Sequence, residues 1–253
     1  MAYVEFELDL TDVLRERLVA LLNGMEPTPL TAENVAGIPE GQGVYQLFHN
    51  AGLVYIGKTD SEAGLPERLE RHVYSIQNRL NLNVEDVSFN AVRIFVFNAM
   101  DLETQLINAY GTPPWNNSGF GSNDPGRNRD RTRLNPNGFD ALYPINVDRQ
   151  LDFPVPANGT VAQFFTVLKQ SLPYVFRFET VPGSRNPHAD LVNSQLALGN
   201  GPQTVRSILQ AAIPNLPAGW QATRLPSRVI IYREPDGYQY NTNEGGQVIA
   251  RSE

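Results

Sequence analysis

The chain has 253 residues, 41% of them hydrophobic and 9% aromatic, which is typical of a chain that buries a globular core. It contains no cysteine and three histidines, which excludes disulfides and thiolate chemistry and argues against a multi-histidine metal centre. The net charge of −7 argues against a protein that coats nucleic acid non-specifically.

The first 40 residues predict a strand followed by a helix. Residues 3–10 alternate apolar and polar side chains, which is typical of a strand with one buried face. Thr11 or Asp12 then caps a helix that runs to about Leu22. Thr31 is a candidate cap for a short second helix. We therefore treat residues 1–40 as an N-terminal extension.

Residues 43–111 predict the order strand, turn, strand, helix, strand, helix. Val, Tyr, Leu and Ile dominate the first two strands, and Asn50-Ala51-Gly52 is the turn between them. The predicted bounds are Gly43–His49 and Leu53–Lys58 for the hairpin, Pro66–Asn81 for the helix, Asn90–Phe97 for the third strand and Asp101–Gly111 for the last helix.

A second α+β region is predicted at residues 150–253, after a connector with three prolines at residues 144–158. Its expected elements are helices near Val161–Gln170 and Thr204–Ala212 and strands near Tyr174–Glu179, Gln221–Arg224 and Val229–Arg233. The fold class is thus α+β. A small three-stranded antiparallel sheet flanked by helices occupies residues 41–145, and the C-terminal region has no motif that indicates its role.

Seven polar residues form a candidate set for cutting a phosphodiester, which needs a nucleophilic water, a base, neutralisation of the phosphate charge and support for the leaving oxygen. Arg68 and His72 are four residues apart on one predicted helix and share a face. Tyr45 and Tyr55 lie on adjacent strands of one hairpin. The complete set is Tyr45, Tyr55, Lys58, Arg68, His72, Glu103 and Asn116.

Each of these residues also has an ordinary structural explanation. A tyrosine in a strand is usually half-buried aromatic surface, and Glu103 suits the N-terminus of a helix. Arg68 could pair with an acid, and Asn116 could belong to a turn. The functional interpretation gains weight because every polar group falls on the element where the chemistry needs it.

Three motifs of the chain resemble those of the GIY-YIG nucleases. Gly43-Val44-Tyr45 and Tyr55-Ile56-Gly57 are similar to the two halves of the family's namesake motif, with Val44 in place of the first isoleucine. Leu65-x-x-Arg68-Leu69-x-x-His72 is similar to the family's helix signature. Asp101-Leu102-Glu103 resembles its glutamate-bearing helix.

The segment that follows resembles a narrower branch of that family, the type II restriction endonucleases that cut the palindrome CCGCGG. The resemblance rests on Trp115-Asn116, Gly119-Phe120-Gly121 and Asp124-Pro125-Gly126-Arg127. It covers roughly residues 1–145, and residues 150–253 resemble nothing in the family.

The resemblance implies that Tyr45 is the general base, or a relay, that activates water. A free tyrosine has a pKa of ~10, so His72 would accept or orient its proton, and Lys58 with Arg68 would favour the phenolate. Tyr55 would hydrogen-bond the phosphate. Arg68 would stabilise charge on the phosphoryl oxygens, where its planar fork is better suited than a lysine.

By the same resemblance, Glu103 would hold one Mg²⁺ in each active site, and Mn²⁺ would substitute for it. A single protein carboxylate, with water and phosphate as the other ligands, is normal for Mg²⁺. The ion would polarise the phosphate and support the leaving 3′ oxygen. Asn116 would position the phosphate or a metal-bound water.

An arginine-rich stretch follows the candidate site, and it has two interpretations. A local basic patch can bind DNA on a protein of negative net charge, and arginine forks read guanine edges in the major groove. The alternative is a solvated loop. We predict DNA contact for Arg127, Arg129, Arg131 and Arg133.

The sequence therefore predicts a Mg²⁺-dependent endodeoxyribonuclease of the type II restriction kind, acting on a specific, palindromic, GC-rich site in double-stranded DNA. A palindrome calls for a symmetric pair of subunits, so we expect a homodimer on DNA. Two alternatives remain open, a GIY-YIG repair or homing-type nuclease and a non-catalytic DNA-binding module on the same fold.

Location is inferred from two further features. No stretch reaches the ~18 apolar residues that a membrane span needs, and the N-terminus lacks the basic start and apolar run of a signal peptide. We therefore expect no membrane partner and a cytoplasmic location.

Overall fold

The structure is a computed structural model that describes residues 2–3, 10–59, 64–95, 102–116, 120, 135–234 and 245–253. The chain divides into two compact units, residues 1–77 with 83–117, and residues 78–82 with 118–253. Both contain helices and antiparallel strands, so the predicted mixed α+β class is confirmed. Within the described ranges, no helix combines the length and apolar character needed to cross a bilayer.

The first unit is built on a four-stranded antiparallel sheet of order β1-β4-β2-β3. Its strands are β1 (Thr28–Pro29), β2 (Gly43–His49), β3 (Gly52–Lys58) and β4 (Val87–Arg93). The hairpin and the third strand of the predicted sheet are therefore adjacent, and the two-residue β1 adds an edge that the sequence did not predict. The β2–β3 turn places Asn50 and Ala51 at φ 49° and 65°, which matches the twist of a two-residue hairpin.

The described residues of this unit also form the helices α1 (Leu10–Asn23), α2 (Ala32–Ala36), α3 (Leu65–Gln77) and α4 (Leu102–Tyr110), with a 3-10 turn at Val84–Asp86. Helices α1 and α4 bury one face of the sheet around Leu18, Leu22, Leu102 and Leu106. Helix α3 lies against the face that carries Tyr45. Thr31 caps α2 as predicted, since its side chain accepts a hydrogen bond from the backbone N–H of Asn34.

Some predicted boundaries differ from those of the structure. Helix α3 ends at Gln77 because residues 78–82 belong to the second unit, where Arg79 bridges to Ile145. Strand β4 begins three residues earlier than predicted because Val87–Phe89 also pair with β2. Three predictions fall wholly or largely on residues that the structure does not describe: the strand at residues 3–10, the end of the third strand and the cap Asp101.

The second unit has a four-stranded sheet of order β10-β8-β9-β6 and a two-stranded sheet, β5-β7. Strand β6 runs parallel to β9, and the other pairs are antiparallel. The bounds are α5 (Phe139–Leu142), β5 (Asn158–Thr160), α6 (Val161–Ser171), β6 (Val175–Phe178), α7 (Ala189–Asn193), β7 (Gln195–Ala197), α8 (Val205–Ala212), the 3-10 turn Ile213–Asn215, β8 (Trp220–Leu225), β9 (Arg228–Arg233) and β10 (Gln247–Arg251).

The core of the second unit is dominated by fully buried aromatic side chains, among them Phe164, Phe165 and Trp220. Capping boxes at Thr160 and Thr204 start α6 and α8, which are the two helices that the sequence predicted here. Elements α5, α7, β5 and β7 are three to five residues long, too short to give a periodic pattern.

Candidate active site

Three of the predicted site residues meet at the interface between the hairpin and α3. The ring centroids of Tyr45 and Tyr55 are 6.0 Å apart, and His72 lies 5.5 Å from Tyr45 and 5.4 Å from Tyr55. All three side chains are buried. Arg68, one turn before His72 on α3, completes what we call the Tyr45 cluster: Tyr45, Tyr55, Arg68 and His72.

The hydroxyl of Tyr45 is the hydrogen-bonding centre of this cluster. It lies 2.7 Å from Nε2 of His72 and 3.4 Å from Nε of Arg68. A guanidinium can only donate, so the Tyr45 oxygen accepts from Arg68. Tyr45 donates to His72 in the tautomer whose Nε2 is unprotonated, and this is the tautomer that a proton relay requires.

Burial makes both members of the Tyr45–His72 pair neutral. Loss of solvent is the largest cause that raises the pKa of Tyr45 far above its ordinary value, and Tyr55 raises it further while Arg68 lowers it. Burial also lowers the pKa of His72 to about 3, with Arg68 and Arg71 acting in the same direction. At neutral pH the site therefore presents a protonated phenol to a neutral imidazole.

Two glycines of the hairpin allow this close packing. A Cβ on Gly57 would collide with Cζ and the hydroxyl of Tyr45 and would lie 2.8 Å from Cε1 of Tyr55. A Cβ on Gly43 would collide with the backbone carbonyl of Val92. Glycine is needed at both positions because the Tyr45 ring lies directly against the backbone at Gly57, and the backbone of β4 lies directly against it at Gly43.

Glu103 lies on α4, and Lys58 lies at the end of β3. Burial is the largest cause that raises the pKa of Tyr55, Arg68 lowers it, and the half-buried Glu103 carboxylate raises it further. Helix α4 itself packs against the sheet face opposite to Tyr45, and convergence of the Glu103 carboxylate with the Tyr45 cluster stays a prediction. Lys58 is exposed at the last residue of β3, opposite Val44, and its contact with a substrate stays a prediction.

Asn116 makes structural contacts that the sequence did not predict. Its Oδ1 accepts from the backbone N–H of Ile56 at 2.9 Å, and its Nδ2 donates to the carbonyl of Ile56 at 2.7 Å. The N–H of Trp115 also bonds to the carbonyl of Val54 at 2.9 Å. Residues 115–116 thus cover the outer edge of β3 and hold the strand that carries Tyr55, while contact of Asn116 with a phosphate or a metal-bound water stays a prediction.

Arg71 is a further residue of the site that sequence analysis did not single out. It is exposed and adjacent to His72 on α3, and its charge lowers the pKa of that imidazole. The sequence does show Arg71 next to His72, and a cation beside a buried histidine opposes its protonation. It does not show that His72 is buried, so the effect of Arg71 was not predicted.

The predicted DNA-binding residues Arg127, Arg129, Arg131 and Arg133 lie outside the described residues. Among the residues that the structure describes, no three His, Asp or Glu side chains gather into a set that could hold a metal ion. Binding of a Mg²⁺ ion by Glu103 stays a prediction.

Comparison with protein-family models finds none that matches this chain, and comparison with curated proteins finds no matching sequence.

Proposed function

We propose that the chain is a Mg²⁺-dependent DNA endonuclease that hydrolyses phosphodiester bonds at a specific, palindromic, GC-rich site, in the manner of a type II restriction enzyme. The observation that supports this most strongly is the Tyr45 hydroxyl held between Nε2 of His72 and Nε of Arg68. A phenol between a neutral proton acceptor, His72, and a fixed cation, Arg68, is suited to transfer a proton beside a group that binds phosphate.

The energetics favour Tyr45 as a proton relay rather than as a resting phenolate. Burial raises the pKa of Tyr45 well above its ordinary value and lowers that of His72 to about 3, so the Tyr45–His72 ion pair is not populated at rest. In a relay the phenol proton moves to His72 only while the attacking water delivers its own proton to the Tyr45 oxygen.

In the proposed step, the attacking water passes a proton to the Tyr45 oxygen while Tyr45 passes its own proton to Nε2 of His72. The water oxygen bonds to phosphorus, and the bond to the leaving oxygen breaks with its electron pair on that oxygen. The leaving oxygen takes a proton from solvent, and His72 then releases its proton to solvent. Tyr45 is fully buried, so its hydroxyl must become accessible when DNA binds. The more exposed Arg68 supplies donors to the non-bridging oxygens at the same place.

Glu103 would hold the Mg²⁺, which when bound polarises the phosphate and supports the leaving oxygen. Tyr55, with its phenol kept neutral by burial, is suited to donate a hydrogen bond to the phosphate. We also assign DNA contact to the four arginines at 127–133 and a symmetric dimer to the palindromic target.

A non-catalytic DNA-binding module on the same scaffold is the second candidate. The full burial of Tyr45 favours it, since a hydroxyl without exposed surface does not contact water in the absence of a change in structure. The two candidates differ in one outcome, whether DNA is cut.

The test is incubation of the protein with a mixed-sequence plasmid and Mg²⁺, followed by sequencing of the ends. The proposal expects discrete fragments with one common end sequence, loss of cutting in Glu103→Gln and Tyr45→Phe with binding retained, and normal cutting in Glu70→Gln, which removes an exposed carboxylate from the same unit. Binding of DNA without cutting would support the non-catalytic DNA-binding module. Fragments with random ends would refute site specificity.

A further inference from the structure

Arg93 and Phe95 form an exposed pair where the chain leaves the end of β4 in the first unit. The guanidinium carbon of Arg93 lies 4.7 Å from the centroid of the Phe95 ring. Arg93 is exposed, and the Phe95 side chain is 79% exposed. Single apolar side chains are common on protein surfaces, but this ring is held against a cation. The pair therefore presents a positive charge and an apolar ring side by side.

The pair lies on the sheet face that carries the Tyr45 cluster. Residues directly opposite one another on antiparallel strands share a face, and Arg93 is opposite Gly43, two residues before Tyr45 on β2. The side chain of Ile94 packs into the apolar cluster on the other face, so the alternation of a strand returns Phe95 to the face of Arg93. Phe95 is four residues beyond the β4 partner of Tyr45, about 14 Å along the chain.

The Arg93 side chain is fixed beside the start of α3. A Cβ on Gly41 would collide with Nε of Arg93, so the guanidinium lies directly over the Gly41 backbone. The carbonyl of Gly41 accepts a hydrogen bond from the backbone N–H of Leu65, the first residue of α3, at 2.9 Å. Arg68, the proposed phosphate ligand, follows in the first turn of that helix. The guanidinium groups of Arg93 and Arg68 therefore lie on the same side of the sheet.

Arg93 carries a positive charge that has no ion-pair partner among the residues that the structure describes. It makes no hydrogen bond to them either, and its guanidinium contacts the Phe95 ring. Glu40, which precedes Gly41, turns its carboxylate towards Gly64. A guanidinium with unused donors matches a phosphate, which it binds through two parallel hydrogen bonds. Charge complementarity therefore favours an anionic partner, and the adjoining ring favours one that also offers an apolar surface.

We infer that Arg93 and Phe95 bind the backbone of the DNA duplex that lies across the Tyr45 cluster, Arg93 at a phosphate and Phe95 at the deoxyribose beside it. This assignment rests on the proposed function, which takes DNA as the substrate of the same face. For a strand that runs along β4, about 14 Å corresponds to about four nucleotides from the scissile phosphate, at ~3.4 Å of helix axis per nucleotide. Contacts to phosphate and sugar position a duplex without reading its sequence, so the pair holds the DNA in place.

The test measures binding of a fluorescein-labelled, mixed-sequence DNA duplex by anisotropy in EDTA, which prevents Mg²⁺-dependent cutting. Arg93→Gln should weaken binding about three- to tenfold and reduce the slope of log Kd against log salt by about 0.9, the value for one phosphate. Phe95→Ala should weaken binding severalfold without changing this slope, because an apolar contact releases no counterion. Phe95→Trp keeps an aromatic ring and should bind like the wild type.

Two substitutions on α1 are the matched controls, because that helix packs on the opposite face of the sheet. Arg17→Gln removes an exposed arginine, and Leu21→Ala removes an exposed apolar side chain. Both variants should keep the affinity and the salt dependence of the wild type. Thermal unfolding of every variant verifies that it is folded, since exposed substitutions change stability little.

The outcomes separate this inference from the proposed function. If the wild type binds DNA but Arg93→Gln or Phe95→Ala binds with wild-type affinity, the inference is overturned and the proposed function stands. A wild type that binds no DNA refutes both. Sedimentation velocity tests the other occupant of this surface: if Phe95→Ala abolishes self-association and leaves DNA affinity unchanged, the pair is an interface between two copies of the chain, and the inference is again overturned.

Discussion

The neutral state of buried His72 predicts a specific loss of stability in acid. Its pKa is about 3 in the folded protein and ~6.5 when unfolded, so below pH 6.5 the unfolded chain takes up a proton that the folded one does not. The free energy of unfolding therefore falls as the pH drops from 6.5 towards 3. Between pH 7.5 and 4.5 this one group costs about 3 kcal/mol.

His72→Gln should abolish this component. The variant loses packing and the Tyr45 hydrogen bond, which lowers its stability at pH 7.5 by about 1–3 kcal/mol, but its stability should depend less steeply on pH. Other carboxylates contribute equally to both proteins and cancel in the comparison. Relative to wild type, the variant should therefore gain about 3 kcal/mol between pH 7.5 and 4.5, which removes or reverses its deficit.

The measurement is guanidinium unfolding at several pH values, followed by the fluorescence of Trp115. The chain has two tryptophans, and Trp115 lies in the first unit while Trp220 lies in the second, so a Trp220→Phe background reports on the unit that contains His72. His49→Gln is the control, since it removes a histidine of the same unit and keeps the Tyr45–His72 pair. Parallel stability curves for wild type and His72→Gln would refute the assignment of a neutral, buried His72.

The remaining predictions concern the packing and charge of the same site. Gly57→Ala should lower the free energy of unfolding by about 1–3 kcal/mol and remove DNA cleavage. The control is Gly52→Ala, whose Cβ would meet only ordinary contacts and which should change the free energy of unfolding by less than about 0.5 kcal/mol. Equal effects of the two substitutions in denaturant titrations would contradict the contact between Gly57 and the Tyr45 phenol. Arg68→Lys should lower kcat with little change in KM, because the planar guanidinium fork is lost while the positive charge is kept. Arg71→Lys is the matched control, and steady-state rates of DNA cleavage distinguish the two variants. Asn116→Asp should destabilise the protein by about 1–3 kcal/mol, because a carboxylate oxygen would face the backbone carbonyl of Ile56 in place of the Nδ2 donor. Thermal unfolding measures the loss of stability, and an unchanged Tm would mean that the edge of β3 does not depend on the Asn116 amide.

Local sequence signals predicted much of the secondary structure. The hairpin follows from a run of strand-forming residues around Asn50-Ala51. The helix at Leu65–Gln77 was predicted from Pro66, which suits a first turn, and its periodicity places Arg68 and His72 on one face. The caps Thr31, Thr160 and Thr204 mark helix starts through hydrogen bonds that span three residues. These features are predictable because each depends on neighbours in the chain.

Longer-range features were beyond the sequence. The two-residue β1, the end of α3 and the parallel β6–β9 pair depend on which distant segments meet. The same holds for Asn116, whose amide bonds to a strand 60 positions earlier. No local periodicity records such a partner, so its residue type alone suggested a turn or a phosphate contact.

The chain by itself determined which chemical groups are available and on which elements they lie: two phenols on a hairpin, and a guanidinium and an imidazole one turn apart on a helix. Only the tertiary structure decided their protonation states and their order of hydrogen bonding. Burial and neighbouring charge set the pKa of His72, and the close approach over Gly57 sets the position of the Tyr45 hydroxyl. Both are properties of packing between segments far apart in sequence, and they arise when the core excludes water.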